Sequence, residues 1–339
     1  MTERHHVTSS ELALIFLQEH HTAKMLSSFG KARILLSLLC IATIGLISRL
    51  SWDLSFFSFN IQNSSVCACH KCLKEGDRWF RERIRAAPQP FLSKTYTPSE
   101  ADFNWWKRLQ LEKRNFVFYK RTLDNLFKIF PPIPDVVKSS PDRCGTCAVV
   151  GNSGNLKGSG HGPLIDLHDI VIRMNRGRTK GYEADVGTKT THHVMYPNSA
   201  INLDKTTHLV LFPFKINDLL WLLNQFKPGN KSAGNSTRIA NKDLVMILNP
   251  AFIKYVHERW LDNNGYYPST GFLTLALSLQ ICDEVSVFGF GADSDGKWGH
   301  YFEILKDKWF RTGIHAGGHE FNVIQQLYQR KQINFYKGS

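Results

Sequence analysis

A chain of 339 residues, 42% hydrophobic and 21% charged, has the length and apolar content for one large folded domain or two modest ones, which argues against a disordered or low-complexity protein. Lysine and arginine (42) outnumber aspartate and glutamate (29), for a formal net charge of +13. The basic residues are scattered rather than clustered in runs, so the composition speaks against a nucleic-acid-binding arm and leaves a basic surface or a bias toward anionic ligands.

Residues 1–33 read as a cytoplasmic tail, of which residues 1–24 are polar apart from Leu12–Leu17, with Met25 an equally good start. The stretch Ile34–Ser48 carries no charge, and Lys24, Lys31 and Arg33 precede it. Residues 34–50 therefore predict a signal-anchor helix, short for a membrane span. Its basic flank stays cytoplasmic and the long C-terminal part becomes luminal. The competing reading is a signal-peptide core, but no A-x-A-type cleavage site follows. Residues 51–66 read as a stem and 67–339 as the globular domain. In a lumen, Asn63, Asn230 and Asn235 are N-x-[ST] glycosylation acceptors.

The cysteines are Cys40 in the anchor, Cys67, Cys69 and Cys72 in a cluster, Cys144 and Cys147 as C-x-x-C, and Cys282 alone. Zinc could take the C-x-x-C pair and the cluster, with His70 as a spare ligand. An oxidising lumen favours three disulfides instead. Cys40 offers a link between two copies, so a homodimer stays open.

Within the globular part, Lys74–Arg85 and Ala101–Phe130 predict helices, and the proline-rich Pro131–Pro141 separates them from the remainder of the domain. Short apolar runs then predict strands at Ala148–Val150, Ile170–Met174, His192–Tyr196, Leu209–Phe212, Leu244–Leu248 and Val285–Phe288. Helical patterns fall at Ile216–Phe226, Ala251–Leu261, Gly271–Ile281 and His319–Arg330. Strand alternating with helix predicts an α/β domain with a mostly parallel sheet covered on both faces.

Four places carry chemistry. The loop Gly151–Gly162 follows a strand and holds five glycines, which allows backbone N–H groups to approach a phosphate or ribose. It is neither G-x-G-x-x-G nor a P-loop, so a dinucleotide or nucleoside triphosphate reading is weak. Asn175 ends the run DIVIRMN, where an amide can read a base or ribose. In Tyr267-Pro268-Ser269-Thr270-Gly271, Ser269 or Thr270 caps a helix whose free N–H groups attract an anion such as a carboxylate. His300 and His315 sit among glycines and can move a hydroxyl proton or hold a phosphate. His192, His193 and His319 compete with them, and each feature alone has a plain structural alternative. Asp293-Ser294-Asp295 looks like a D-x-D metal clamp, but the following Gly296 makes a turn as easy a reading, and no metal is assigned.

Taken together, these segments resemble the animal sialyltransferases, glycosyltransferase family 29. Cys147–Pro197 is similar to the family's long motif, Tyr267–Gly291 to its short motif, His300-Tyr301-Phe302-Glu303 to its third motif, and His315 with Glu320 to its very short H-x4-E motif. The cysteine layout and Asn249–Val256 (NPAFIKYV) most resemble members that form α2,3 links to galactose in Gal-β1,3-GalNAc. The resemblance implies a single GT-A-variant Rossmann-like catalytic domain in the Golgi membrane. It also implies inverting, metal-independent transfer from CMP-sialic acid, with no cofactor and no nucleic acid.

On that basis Asn152, Ser153 and Asn175 would hold the CMP. Ser269, Thr270 and Gly271 would bind the donor, with Gly291 nearby. Tyr196 and His300 would contact the leaving phosphate, and His315 would be the general base. Gln110, Tyr267 and Phe290 would shape the acceptor site. The implied disulfides are Cys67–Cys72, Cys69–Cys144 and Cys147–Cys282. Two departures stand out. Members of that subgroup usually carry a histidine where Gly299 stands, and a phosphate-contacting tyrosine that Pro228–Asn241 lacks. The alternatives are therefore a different acceptor, such as Gal-β1,4-GlcNAc, or a catalytically weak Golgi binding protein on the same fold.

Overall fold

The computed structural model describes residues 39–46, 48–49, 67–70, 72–136, 139–227, 239–303 and 314–338. The chain divides into two units, residues 1–64 and 65–339. In the first, residues 39–46 and 48–49 are helical, and Leu39, Ile41, Ile44 and Leu46 are exposed. Among the described residues no helix is long and apolar enough to cross a membrane. The expected tail, the rest of the expected anchor, the whole of the expected stem, and the acceptors Asn63, Asn230 and Asn235 lie outside the described residues.

The second unit is built on a seven-stranded, wholly parallel sheet. Its strands are β1 (Thr146–Val150), β2 (Ile170–Met174), β3 (His192–Met195), β4 (His208–Leu211), β5 (Val245–Ile247), β6 (Glu284–Phe288) and β7 (Asn334–Tyr336), in the order β5-β4-β3-β2-β1-β6-β7. Helices cover both faces of such a sheet, so its strands read as continuous apolar runs rather than alternating ones. Ala148, Val149, Val171, Val194, Val285 and Val287 are all fully buried.

Two features of this sheet position a site. Val150 of β1 sits in register with Arg173 of β2 and with Phe288 of β6, so three strands end at one level. The strand order also reverses between β1 and β6, and ligands of open α/β sheets bind outside the carboxyl ends of the strands at such a point. The helix Thr270–Ile281 is buried continuously from Phe272 to Leu279 and packs against β1, β2 and β6. A helix apolar all round belongs inside a domain.

The N-terminal helices differ from expectation. Lys74–Arg85 is not one helix but a 3-10 turn, Leu73–Glu75, followed by an α-helix, Arg78–Arg85. Asp77 breaks it by accepting the Phe80 N–H as an N-cap. Ala101–Phe130 is likewise two helices, Glu100–Arg108 and Phe116–Leu126. Leu111 takes a left-handed φ of 52°, and Asn115 caps the second helix through the Phe118 N–H. The break places Gln110 in a turn between helices.

The cysteines pair as Cys67–Cys72, Cys69–Cys144 and Cys147–Cys282. This leaves none of the six as a thiolate for zinc, and among the described residues Cys40 is the one free cysteine, exposed. Cys147 lies in β1 and Cys282 caps the helix Thr270–Ile281. The third bridge therefore ties the start of the strand before the glycine loop to the C-terminal end of the helix that Ser269 caps.

Candidate active site

At the carboxyl end of the sheet opens a cavity of about 640 Å³. It gathers every residue that the sequence points to for donor, acceptor and catalysis: Asn152, Ser153, Asn175, Tyr196, Ser269, Thr270, Gly271, Gly291, Gln110, Tyr267, Phe290, His300 and His315. His192, His193 and His319 do not line it.

The glycine loop forms one wall. Gly151 leaves β1 against the end of β6, where a Cβ on it would come within 2.2 Å of the Gly289 carbonyl oxygen, so no larger residue fits. Asn152 donates from Nδ2 to the Met174 carbonyl at 3.2 Å. Ser153 donates from Oγ to the Gly291 carbonyl at 2.7 Å and forms an isolated antiparallel bridge with His300. That bridge fixes the backbone of His300 beside the glycine loop. The His300 side chain holds Nδ1 2.7 Å from Glu303 Oε2.

Gly151 and Gly271 both lie against the ring of Phe290, and the cavity is also lined by the start of the helix Thr270–Ile281. Ser269 caps it by accepting the Phe272 N–H at 3.1 Å, and its own hydroxyl donates to Glu320 Oε2 at 2.6 Å. Glu320 Oε1 accepts the Ser269 N–H at 2.7 Å. Burial pushes the Glu320 carboxyl upward, against the Ser269 hydrogen bonds that favour its charged form. Among the described residues the Thr270 and Gly271 N–H groups have no hydrogen-bond partner, so the two amides at the head of the helix remain for a ligand.

His315 lies beside the same feature. Its Nδ1 is 2.9 Å from the Tyr267 carbonyl oxygen, and its ring meets that of Tyr267 edge-on with centroids 5.0 Å apart. A carbonyl only accepts, so Nδ1 carries the hydrogen and the neutral ring keeps its lone pair on Nε2. Gln110 donates to the Tyr267 hydroxyl at 3.1 Å, and burial raises the pKa of that phenol. Gln110, Tyr267 and His315 thus form one connected group in the lining of the cavity.

Sequence reasoning missed several lining residues, among them Phe214, Lys215, Asp218 and Trp298. Lys215 and Asp218 begin the helix Ile216–Gln225 after β4, so the strand-to-helix turn there was the available signal. Asp218 accepts the Phe214 and Lys215 N–H groups, and burial raises its pKa. The Asp293–Asp295 segment is a turn rather than a clamp. Asp293 Oδ1 accepts the Asp295 and Lys297 N–H groups, and Asp295 pairs with the Lys297 ammonium at 2.6 Å. Neither aspartate lines the cavity.

The profile of "Glycosyltransferase family 29 (sialyltransferase)" matches residues 91–332. The chain is 44% identical to the chicken (Gallus gallus) CMP-N-acetylneuraminate-beta-galactosamide-alpha-2,3-sialyltransferase 1, over 80% of this chain and 82% of the relative. It is 39% identical to the mouse (Mus musculus) sialyltransferase 2 of the same description, over 80% of each. A crystal structure of a mammalian sialyltransferase in complex with Gal-beta-1-3GalNAc-ortho-nitrophenol superposes with a TM-score of 0.71 at 42% identity, covering 80% of this chain and all of that one. The chain belongs to glycosyltransferase family 29, the sialyltransferases.

Proposed function

We propose that the protein transfers sialic acid from CMP-sialic acid to the 3-hydroxyl of terminal galactose in Gal-β1,3-GalNAc, on O-glycans or glycolipids, with inversion and without a metal. The observation that carries the reading is a single cavity lined both by a nucleotide-suited glycine loop and by a histidine whose tautomer the Tyr267 carbonyl fixes. The names of the relatives support the donor, the linkage and the acceptor sugar.

In this reading the glycine loop, Asn152, Ser153 and Asn175 hold the CMP. The Thr270 and Gly271 amides receive the sialic acid carboxylate at the head of their helix, where the dipole favours an anion. The acceptor disaccharide rests against Gln110, Tyr267 and Phe290. His315 Nε2 takes the proton of the galactose 3-hydroxyl. The oxygen forms its bond to C2 of sialic acid as the C2–O bond to phosphate breaks, and CMP departs. His300 and Tyr196 face the phosphate, where a hydrogen bond from a placed donor offsets the growing charge. The carboxylates of Asp218, Glu320 and Asp293 are engaged by backbone and side-chain donors, which suits a site that works with histidines and amides rather than with a metal clamp.

The apolar segment at residues 34–50 and the disulfides support a Golgi type II membrane protein with residues 67–339 as the luminal catalytic domain. The test of the chemistry is His315→Ala. Turnover should fall about 10²–10⁴-fold while CMP affinity and melting temperature hold. A variant that turns over normally would remove His315 from the reaction.

A further inference from the structure

Asn175 stands one residue past the end of β2 and lines the cavity with a left-handed φ of 54°. Asparagine tolerates that conformation better than most residues, but a binding group there still needs an outside hold. Two buried side chains supply it, and neither lines the cavity. His193 places Nε2 2.7 Å from the Asn175 carbonyl oxygen, so Nε2 carries the hydrogen and fixes the backbone. Burial pushes this ring down to about 4, which keeps it neutral.

Ser199 holds the side chain. Its Oγ lies 2.8 Å from Asn175 Oδ1, 3.2 Å from the Tyr196 nitrogen and 3.1 Å from the Tyr196 carbonyl oxygen. The Tyr196 N–H can only donate, so it takes one lone pair of the serine. The hydroxyl hydrogen is then shared between the Asn175 amide oxygen and the Tyr196 carbonyl. One hydroxyl therefore links two cavity residues that leave different strands. The Asn175 Nδ2 has no hydrogen-bond partner among the described residues.

We infer that Ser199 is a positioning residue for the nucleotide part of the donor. It engages the Asn175 amide oxygen and so turns the Nδ2 donor toward the ligand. The inference rests on the CMP-sialic acid reading and deepens it. The group that Asn175 reads is a hydrogen-bond acceptor, such as a base carbonyl, a ribose oxygen or a phosphate oxygen, and not an exocyclic amine. With the amide oxygen already engaged, a ligand that offers a donor at this point meets another donor.

The experiment uses the full chain in detergent and measures CMP dissociation constants, donor KM, acceptor KM, kcat and melting curves. Variants are Ser199→Ala, Asn175→Ala, their combination, and Asn175→Asp. Ser199→Ala should weaken CMP and raise donor KM about fivefold, with kcat and acceptor KM within about twofold of wild type. The double variant should bind CMP as Asn175→Ala alone does, because the hydroxyl acts through the amide. Asn175→Asp keeps an oxygen for Ser199 but loses the donor, and should bind CMP more weakly than Ser199→Ala at an unchanged melting temperature. Wild-type CMP affinity in Ser199→Ala, additive losses in the double variant, or wild-type affinity in Asn175→Asp would each overturn the inference. Were Ser199→Ala to unfold, Asn175→Asp alone would still decide. A wild-type chain that fails to bind CMP overturns the functional reading, and the inference with it, before any variant is made.

Discussion

At the scale of single residues, His315 takes its chemical meaning from Tyr267. The sequence around it shows only a histidine among glycines, and it is the Tyr267 carbonyl at Nδ1 that selects the tautomer able to accept a proton at Nε2. Glu320 has a similar dependence on Ser269, whose N–H and hydroxyl both bind its buried carboxylate. Ser269→Ala removes an N-cap and one of the two partners of that carboxylate. The loss should be about 2 kcal/mol, a drop of roughly 4–8 °C in melting temperature, together with weaker donor binding. An unchanged melting curve would contradict the paired role.

The buried histidines give a pH dependence whose sign follows from their direction. Burial, with the ring of His208 stacked 4.4 Å away, pushes His192 down to about 3, and burial pushes His193 down to about 4. The unfolded chain takes up these protons near pH 6.5 and the folded chain does not. Their contribution is therefore whole above pH 6.5 and is lost as the pH falls toward their folded values. Each group costs about 1.4 kcal/mol per pH unit in that window. The protein should melt several degrees lower at pH 5 than at pH 7, and His193→Gln should flatten the fall. A melting temperature that rises on acidification would contradict this.

At the scale of elements, the disulfide Cys147–Cys282 closes a separation of 135 residues between β1 and the helix that Ser269 caps. Cys147→Ser with Cys282→Ser should cost about 2–5 kcal/mol and weaken CMP binding, because β1, which leads into the glycine loop, and the C-terminal end of the helix that Ser269 caps lose their covalent tie. Stability and CMP affinity both equal to wild type would show that packing alone holds them. Strands β1 to β6 were legible in the sequence as short apolar runs between turn residues, and the four C-terminal helices as helical patterns of fitting length. β7, with only Asn334, Phe335 and Tyr336, has too few residues to show a period. The splits at Asp77 and Asn115 were missed because a capping side chain interrupts a helical pattern without changing its polarity. In the site, residues inside the sequence motifs were legible. Lys215, Asp218 and Ser199 were not, because their roles come from which strand ends lie side by side, and that is a property of the sheet order.

At the scale of the whole molecule, a parallel sheet with its strands in register delivers the chemistry to one level. Residues as far apart as Asn152 and Asn175 meet there because each strand carries its following loop to the same edge, and Gln110 joins them from the turn between the two N-terminal helices. The central claim is the reaction itself, and the most direct measurement is transfer by the full chain in detergent from CMP-sialic acid, with EDTA present, to Gal-β1,3-GalNAc and Gal-β1,4-GlcNAc in parallel. The account predicts an α2,3-linked product on Gal-β1,3-GalNAc, formed faster than any product on the other acceptor. A folded chain that binds CMP yet transfers nothing to either acceptor would contradict it.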